Sequence, residues 1–196
     1  MVALRKPPTR TMTVAAFLTW SPDDPSVHAW QLIDGEPIAM APASDNHARI
    51  QGELGGYLWS HLTAQGRGCS VVTTPGIVPR GRSDRNYRVP DIGVTCAPSV
   101  GGQMLPDPLI LIEILSPSNE SETWANVWTY LTIPTVREVL VVNSTRMEAE
   151  LLRRDADGSW PEVPMRIGAE ETLMLDSIAF SVKLAALYRM TNLTAA

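Results

Sequence analysis

Leu109-Ile110-Leu111-Ile112-Glu113-Ile114-Leu115 is the stretch that decides the fold. A continuous aliphatic run of this kind is typical of a central strand covered on both faces. Such a strand needs packed layers above and below it, so the chain reads as α/β (α+β): a mixed central β-sheet flanked by helices. One acid interrupts the run. An ionised Glu113 at that place costs several kcal/mol to bury unless something pairs with it.

Working outward, Pro90-Asp91-Ile92-Gly93-Val94-Thr95-Cys96 alternates as a strand does, with Ile92, Val94 and Cys96 on one face and Asp91 on the other. A hairpin-like connection through residues 97–108 can bring Asp91 and Glu113 onto one face. Beyond Ser116-Pro117-Ser118, Asn119 and Glu122 resemble a capping box that opens a helix to about residue 132, where Pro134 breaks it. Earlier in the chain, residues 12–20 read as a short helix, and residues 29–33 and 37–40 as a hairpin around Asp34-Gly35. Ser44, Asp45 or Asn46 caps a helix to about residue 63, with Ile50, Leu54, Tyr57, Leu58 and Leu62 on one face and Gly66 and Gly68 ending it. Further strands are expected at 70–73, 76–78, 137–142 and 147–153, a turn at Asp157-Gly158, and a closing helix at about 180–190. No repeat or linker divides the 196 residues, which read as one domain with residues 1–11 as a frayed arm.

Composition narrows the function classes. A net charge of −5 argues against a surface that coats nucleic acid non-specifically, because such binding rests on many Lys and Arg contacts to phosphate. Any DNA contact is therefore local. No apolar run approaches the ~20 residues of a membrane span, and the apolar stretch 14–20 is short for an export signal. A cytoplasmic protein is expected. Cys69 and Cys96 lie far apart with no C-x-x-C spacing and read as buried, reduced thiols. Walker loops, dinucleotide glycine motifs, G-x-S-x-G elbows and paired-histidine metal motifs do not occur.

Asp91 and Glu113 together suggest a chemistry. Two close carboxylates repel, so one has to bind a proton or a cation. Oxygen-only ligands suit Mg²⁺, with Mn²⁺ as a substitute, and Mg²⁺ commonly takes one or two carboxylates while accepting phosphate oxygens from a substrate. The other reading pairs Glu113 with a buried arginine, Arg88 or Arg137, and gives it no chemistry. His47, on the apolar side of the long helix, is either a satisfied core histidine or a proton carrier near the acids. Glu36 and Glu53 are candidate outer acids. Arg80, Arg82, Arg85 and Arg88 form either a solvated loop or a set of phosphate contacts that steer DNA toward Asp91. Trp124, Val127, Trp128 and Leu131 make an apolar helix stripe, with Asn126 roughly opposite. A core-facing stripe sends Asn126 to solvent; the alternative is a homodimer contact.

Pro90-Asp91 followed by Ile112-Glu113-Ile114-Leu115-Ser116-Pro117-Ser118 resembles the Uma-two family, whose members are regarded as restriction endonucleases. So does Trp30-Gln31-Leu32-Ile33-Asp34-Gly35-Glu36 with Met40 and His47 behind it. The likeness runs from about residue 12 to 188. It implies a restriction-endonuclease-like fold of the PD-(D/E)xK superfamily, metal-dependent hydrolysis of DNA, Asp91 and Glu113 as metal ligands, and the backbone carbonyl of Ile114 as a third. That superfamily usually completes its site with a lysine, which an E-x-K pattern would put at position 115, here Leu115. The family instead carries the lysine four residues before a tyrosine, a spacing that selects Asn126 ahead of Tyr130. Position 31, usually glutamate, is Gln31. Both departures put a neutral amide where a charge is expected, so the resemblance also allows an inactive nuclease-fold protein that binds DNA or assembles with itself.

Overall fold

The computed structural model describes residues 11–21, 29–81, 83–117 and 119–194. Arg82 and residues 1–10 of the expected arm lie outside them. Thr13 caps α1 (Val14–Phe17) by accepting from the Ala16 N–H. The helix is one turn, shorter than expected, and Thr19 Oγ1 folds back onto the Ala15 and Ala16 carbonyls at its end. β1 (Trp30–Ile33) and β2 (Glu36–Ala39) form the expected hairpin. Its turn residues Asp34 and Gly35 both have positive φ, 50° and 87°, as a tight two-residue connection requires.

Ser44 Oγ accepts from the His47 N–H to cap α2 (Asp45–Gln65), which ends at Gly66 in the left-handed region. β3 (Ser70–Thr73), β4 (Ile92–Thr95) and β5 (Pro108–Leu115) follow, then α3 (Glu120–Tyr130), β6 (Glu138–Asn143), β7 (Glu148–Arg153) and β8 (Met165–Gly168). These strands make one six-stranded sheet in the order β3-β4-β5-β6-β7-β8. Only β5 and β6 are parallel, joined by the α3 crossover. The mixed sheet flanked by helices is the architecture expected from the sequence.

β5 is central, and its alternation sorts the two layers. Ile110, Ile112 and Ile114 pack with Ile50, Leu54 and Leu58 of α2. Leu111 and Leu115 pack with Val127 and Tyr130 of α3. Glu113 has the same parity as Leu111 and Leu115 and so faces α3.

Several elements differ from expectation. Residues 76–78 form no regular strand, only isolated bridges from Gly76 to Met104 and Ile77 to Arg88, because Pro75 and Pro79 bracket them without amide donors. The end of the chain is not a helix from 180. β9 (Thr172–Leu175) and β10 (Phe180–Lys183) form a hairpin whose inward side chains are Leu173, Leu175 and Phe180, and a 3-10 helix, Leu184–Tyr188, comes after it. Cys69 and Cys96 are bonded to each other, not reduced and buried. The pairing of Ser70 with Thr95 places the next residue out on each strand opposite the other, a contact across 27 residues that spacing alone does not reveal. Among the described residues no helix is long and apolar enough to cross a membrane.

Glu138 fastens the far side of the sheet. It is fully buried and accepts from Arg153 Nε (2.9 Å) and from the backbone N–H groups of Asp176 and Ser177 (both 3.0 Å). Glu138→Leu leaves the Asp176 and Ser177 amides without their acceptor, while Arg153 keeps Asp176 Oδ2 and the Met174 carbonyl, so we expect a loss of about 2–4 kcal/mol of stability, read from urea denaturation. A loss under about 1 kcal/mol would show that these contacts are replaceable by water.

Candidate active site

A cleft of about 910 Å³ opens over one end of β4 and β5, lined by residues from β1, the β2–α2 loop, α2 and α3. Asp91 and Glu113 both line it. The antiparallel register pairs Ile92 with Ile112, and one further step sets Asp91 opposite Glu113. Opposite residues on neighbouring strands share a face. The two acids expected to meet are thus brought together, at 9% and 6% exposure.

Their surroundings differ. Asp91 Oδ1 is 2.8 Å from His47 Nε2, and Asp91 Oδ2 accepts from the Ile114 N–H at 2.7 Å. Gln51 Nε2 and the Thr74 N–H donate to the Asp91 carbonyl and fix the backbone. Glu113 Oε1 accepts from the Tyr130 hydroxyl at 2.7 Å and from Asn126 Nδ2 at 3.4 Å. Burial, and next the Asp91 charge, hold the Glu113 carboxyl well above the usual carboxylate range, against the pull of the bonds from Tyr130 and Asn126. The Tyr130 phenol is likewise pushed well up, by burial first and then by Glu113.

Behind Glu113 lies a chain of amides. Gln31 Nε2 donates to Glu122 Oε1 (2.9 Å), and Gln31 Oε1 accepts from the Val89 N–H (3.3 Å) and from Asn126 Nδ2 (3.4 Å). Asn126 Oδ1 is buried without a partner.

The site corrects several expectations. Asn126 does not meet solvent. The inward residues of α3 are Thr123, Asn126, Val127 and Tyr130, a three-and-four spacing that puts Asn126 beside Glu113. Of the apolar stripe, Val127 enters the core, Trp124 and Leu131 pack at its edge, and Trp128 is 49% exposed. Asn119 and Glu122 form no capping box: Asn119 Oδ1 accepts from the Ser116 N–H and hydroxyl, and Glu122 is taken by Gln31.

Among the described residues no arginine bonds Glu113, although the Arg88 charge reaches it. Arg137 is exposed, and Arg88 bonds Asn86 Oδ1 (3.2 Å) while its buried Nε lacks a partner. At 6% exposure Arg88 cannot be the surface phosphate contact expected of it. Arg80 and Arg85 are exposed but do not line the cleft, and Arg85 is 3.6 Å from Asp84. Glu36 is exposed, and Glu53 pairs with Arg189 (2.8 Å) away from the acids. The Ile114 N–H, on the residue whose carbonyl is expected to hold the metal, reaches Asp91 Oδ2. Tyr130, Gln51 and Glu122 were not foreseen as site residues; each reaches the acids or their supports across folded distance, and only Tyr130 carries a signal in the sequence, as the tyrosine whose spacing selects Asn126.

The geometry can be set beside known proteins. Residues 14–186 match the model of the Uma2 family, described as "Putative restriction endonuclease". The chain belongs to the Uma2 family. A Synechocystis sp. relative, "Uncharacterized protein slr1290", is 29% identical over 184 residues, covering 88% of this chain and 89% of its own length. A crystal structure from Anabaena variabilis, of "a putative nuclease belonging to DUF820", superposes with a TM-score of 0.72 at 18% identity, covering 90% of this chain and 97% of that one. The central sheet and its flanking helices are therefore the Uma2 scaffold with a nuclease-like neighbour.

For this Uma2 protein the raised Glu113 value has a consequence for stability. The folded state keeps a proton that the unfolded chain gives up near the ordinary value of 4.5, so stability is full below that pH and falls as pH rises toward the folded value. Glu113→Gln removes the fall. In the absence of divalent ions its melting temperature is expected to exceed wild type at neutral pH, with the gap closing as pH is lowered toward 4.5. A variant less stable than wild type at every pH would mean that Glu113 is folded in as a stabilised anion.

Proposed function

We propose that this chain is a metal-dependent endonuclease that hydrolyses DNA phosphodiester bonds. The observation that carries the reading is the convergence of Asp91, just ahead of β4, and Glu113 of β5, two buried carboxyls at the floor of an open cleft, with no Lys or Arg among the described residues that line it. Without a cation one of the pair holds a proton. Hard oxygen donors suit Mg²⁺ or Mn²⁺, and Asp91 and Glu113 are the residues that would hold the ion. Asn126 Oδ1, a buried acceptor with nothing donating to it, supports the same fit. When bound, such an ion supplies a water of lowered pKa and positive charge against the phosphate.

The chain's own residues prepare the site. His47 and the Ile114 N–H grip Asp91 from two sides, so its carboxylate cannot rotate freely. Tyr130 orients Glu113 from below. The description of the Uma2 family and its nuclease-like neighbour support phosphodiesters as the substrate class. Arg80 and Arg85, exposed on the loop before Asp91, are the candidate contacts for the flanking backbone.

The absence of a cationic side chain from the described cleft lining also favours a second reading, in which the fold binds DNA or assembles with itself without hydrolysis. Supercoiled plasmid separates the two. With Mg²⁺ or Mn²⁺, wild type is expected to nick or linearise it, and Glu113→Gln and Asp91→Asn to lose at least about 100-fold of that rate, as removal of a principal charge-stabilising group does. A silent wild type that still binds plasmid, with affinity falling as salt rises, would leave the binding module as the function.

A further inference from the structure

The geometry points to Asn126 as an oxygen ligand of the divalent cation held by Asp91 and Glu113, an inference that rests on the metal-dependent reading above. It begins with Gln31. Glu122 Oε1 takes the Gln31 Nε2 donor, and the Val89 N–H takes the Gln31 Oε1 acceptor, so that amide has one orientation only. Gln31 Oε1 is therefore what Asn126 meets. Asn126 has to answer with Nδ2, which also reaches Glu113 Oε1, both at 3.4 Å. The flipped amide would set its oxygen against the Gln31 oxygen.

This order leaves Asn126 Oδ1 over. It is unpartnered, in a side chain 4% exposed that lines the same cleft as the two acids. Buried amide oxygens are almost always satisfied, and nothing described in the chain satisfies this one. Among the described residues no three His, Cys, Asp or Glu side chains cluster as a metal site. A cation at Asp91 and Glu113 must therefore complete its shell with neutral oxygens, and asparagine carbonyls are accepted ligands of hard cations. Two carboxylates and one amide oxygen also balance a doubly charged ion without excess charge. Asn126 is then a binding residue for the metal, not an empty substitute for a base or a cation.

The test is metal binding, not turnover. Both native cysteines are joined in the Cys69–Cys96 disulfide, so Asn126→Cys introduces the one free thiol. Free Mn²⁺ is followed by electron paramagnetic resonance in wild type, Glu113→Gln, Asn126→Cys and Asn126→Asp, and Cd²⁺ is added to each while the ultraviolet spectrum is recorded. We expect wild type to bind Mn²⁺ and Glu113→Gln to lose it. Asn126→Cys should bind Mn²⁺ at least about tenfold more weakly and should show a thiolate-to-Cd²⁺ charge-transfer band, since thiolate prefers the softer ion. Asn126→Asp, which keeps the shape and an oxygen, should bind Mn²⁺ at least as tightly as wild type. If Asn126→Cys binds Mn²⁺ like wild type and gives no Cd²⁺ band, the assignment is overturned while the Glu113-dependent site stands. Should Asn126→Cys not fold, Asn126→Asp decides, and a weaker Mn²⁺ affinity would overturn it. No Mn²⁺ uptake by wild type would instead remove the metal reading itself.

Discussion

A carboxyl group buried on the central strand, bonded by no cation among the described residues, is the constraint around which this molecule is arranged. Glu113 shares a face of β5 with Leu111 and Leu115, against α3. Its position there demands donors from that helix, and the inward row of α3 supplies them in Asn126 and Tyr130. Asn126 in turn needs Gln31, and Gln31 needs Glu122 and the Val89 amide. The β1 hairpin, the loop before Asp91 and the first turns of α3 are thereby tied to one carboxyl. Low dielectric makes each of these bonds stronger, and makes any that is missing more costly.

The sheet contains its own control. Glu138 and Glu113 lie on the neighbouring parallel strands β6 and β5, and both are buried. Glu138 is fully answered, by a guanidinium and two backbone amides. Glu113 is answered only by neutral donors and faces a second acid. A structural glutamate is treated in the first way. The second leaves negative charge without a bonded cation at the floor of a cleft, which is what the proposed cation site requires.

Asp91 and Glu113 are also made unequal. Asp91 receives a backbone N–H and the His47 ring, whereas burial and the Asp91 charge oppose ionisation of Glu113. No described arginine bonds the acids at the floor of the cleft, although the buried Arg88 charge reaches Tyr130 and Glu113. Arg88 is turned inward onto Asn86, and Arg154 caps the carbonyls after α3 while stacking on Trp160.

The sequence by itself determined what depends on periodicity and local turn chemistry. The β5 run, the Asp34-Gly35 hairpin, the Ser44 cap and the four-residue rhythm of Ile50, Leu54, Leu58 and Leu62 each carry their signal within a few residues. Glu113 stood out because an acid in an aliphatic strand is anomalous wherever it is read, and the spaced motifs around it resembled one family. Only the tertiary structure decided what depends on register and helix rotation. Whether α3 turned Trp128 or Asn126 inward, whether Cys69 met Cys96, and whether Glu113 found Tyr130 or an arginine were set by contacts between residues 13 to 95 positions apart. Only β10 of the closing hairpin falls in the stretch read as a helix from about 180, because its four residues alternate too briefly to compete with an apolar run until β9 and the core receive them.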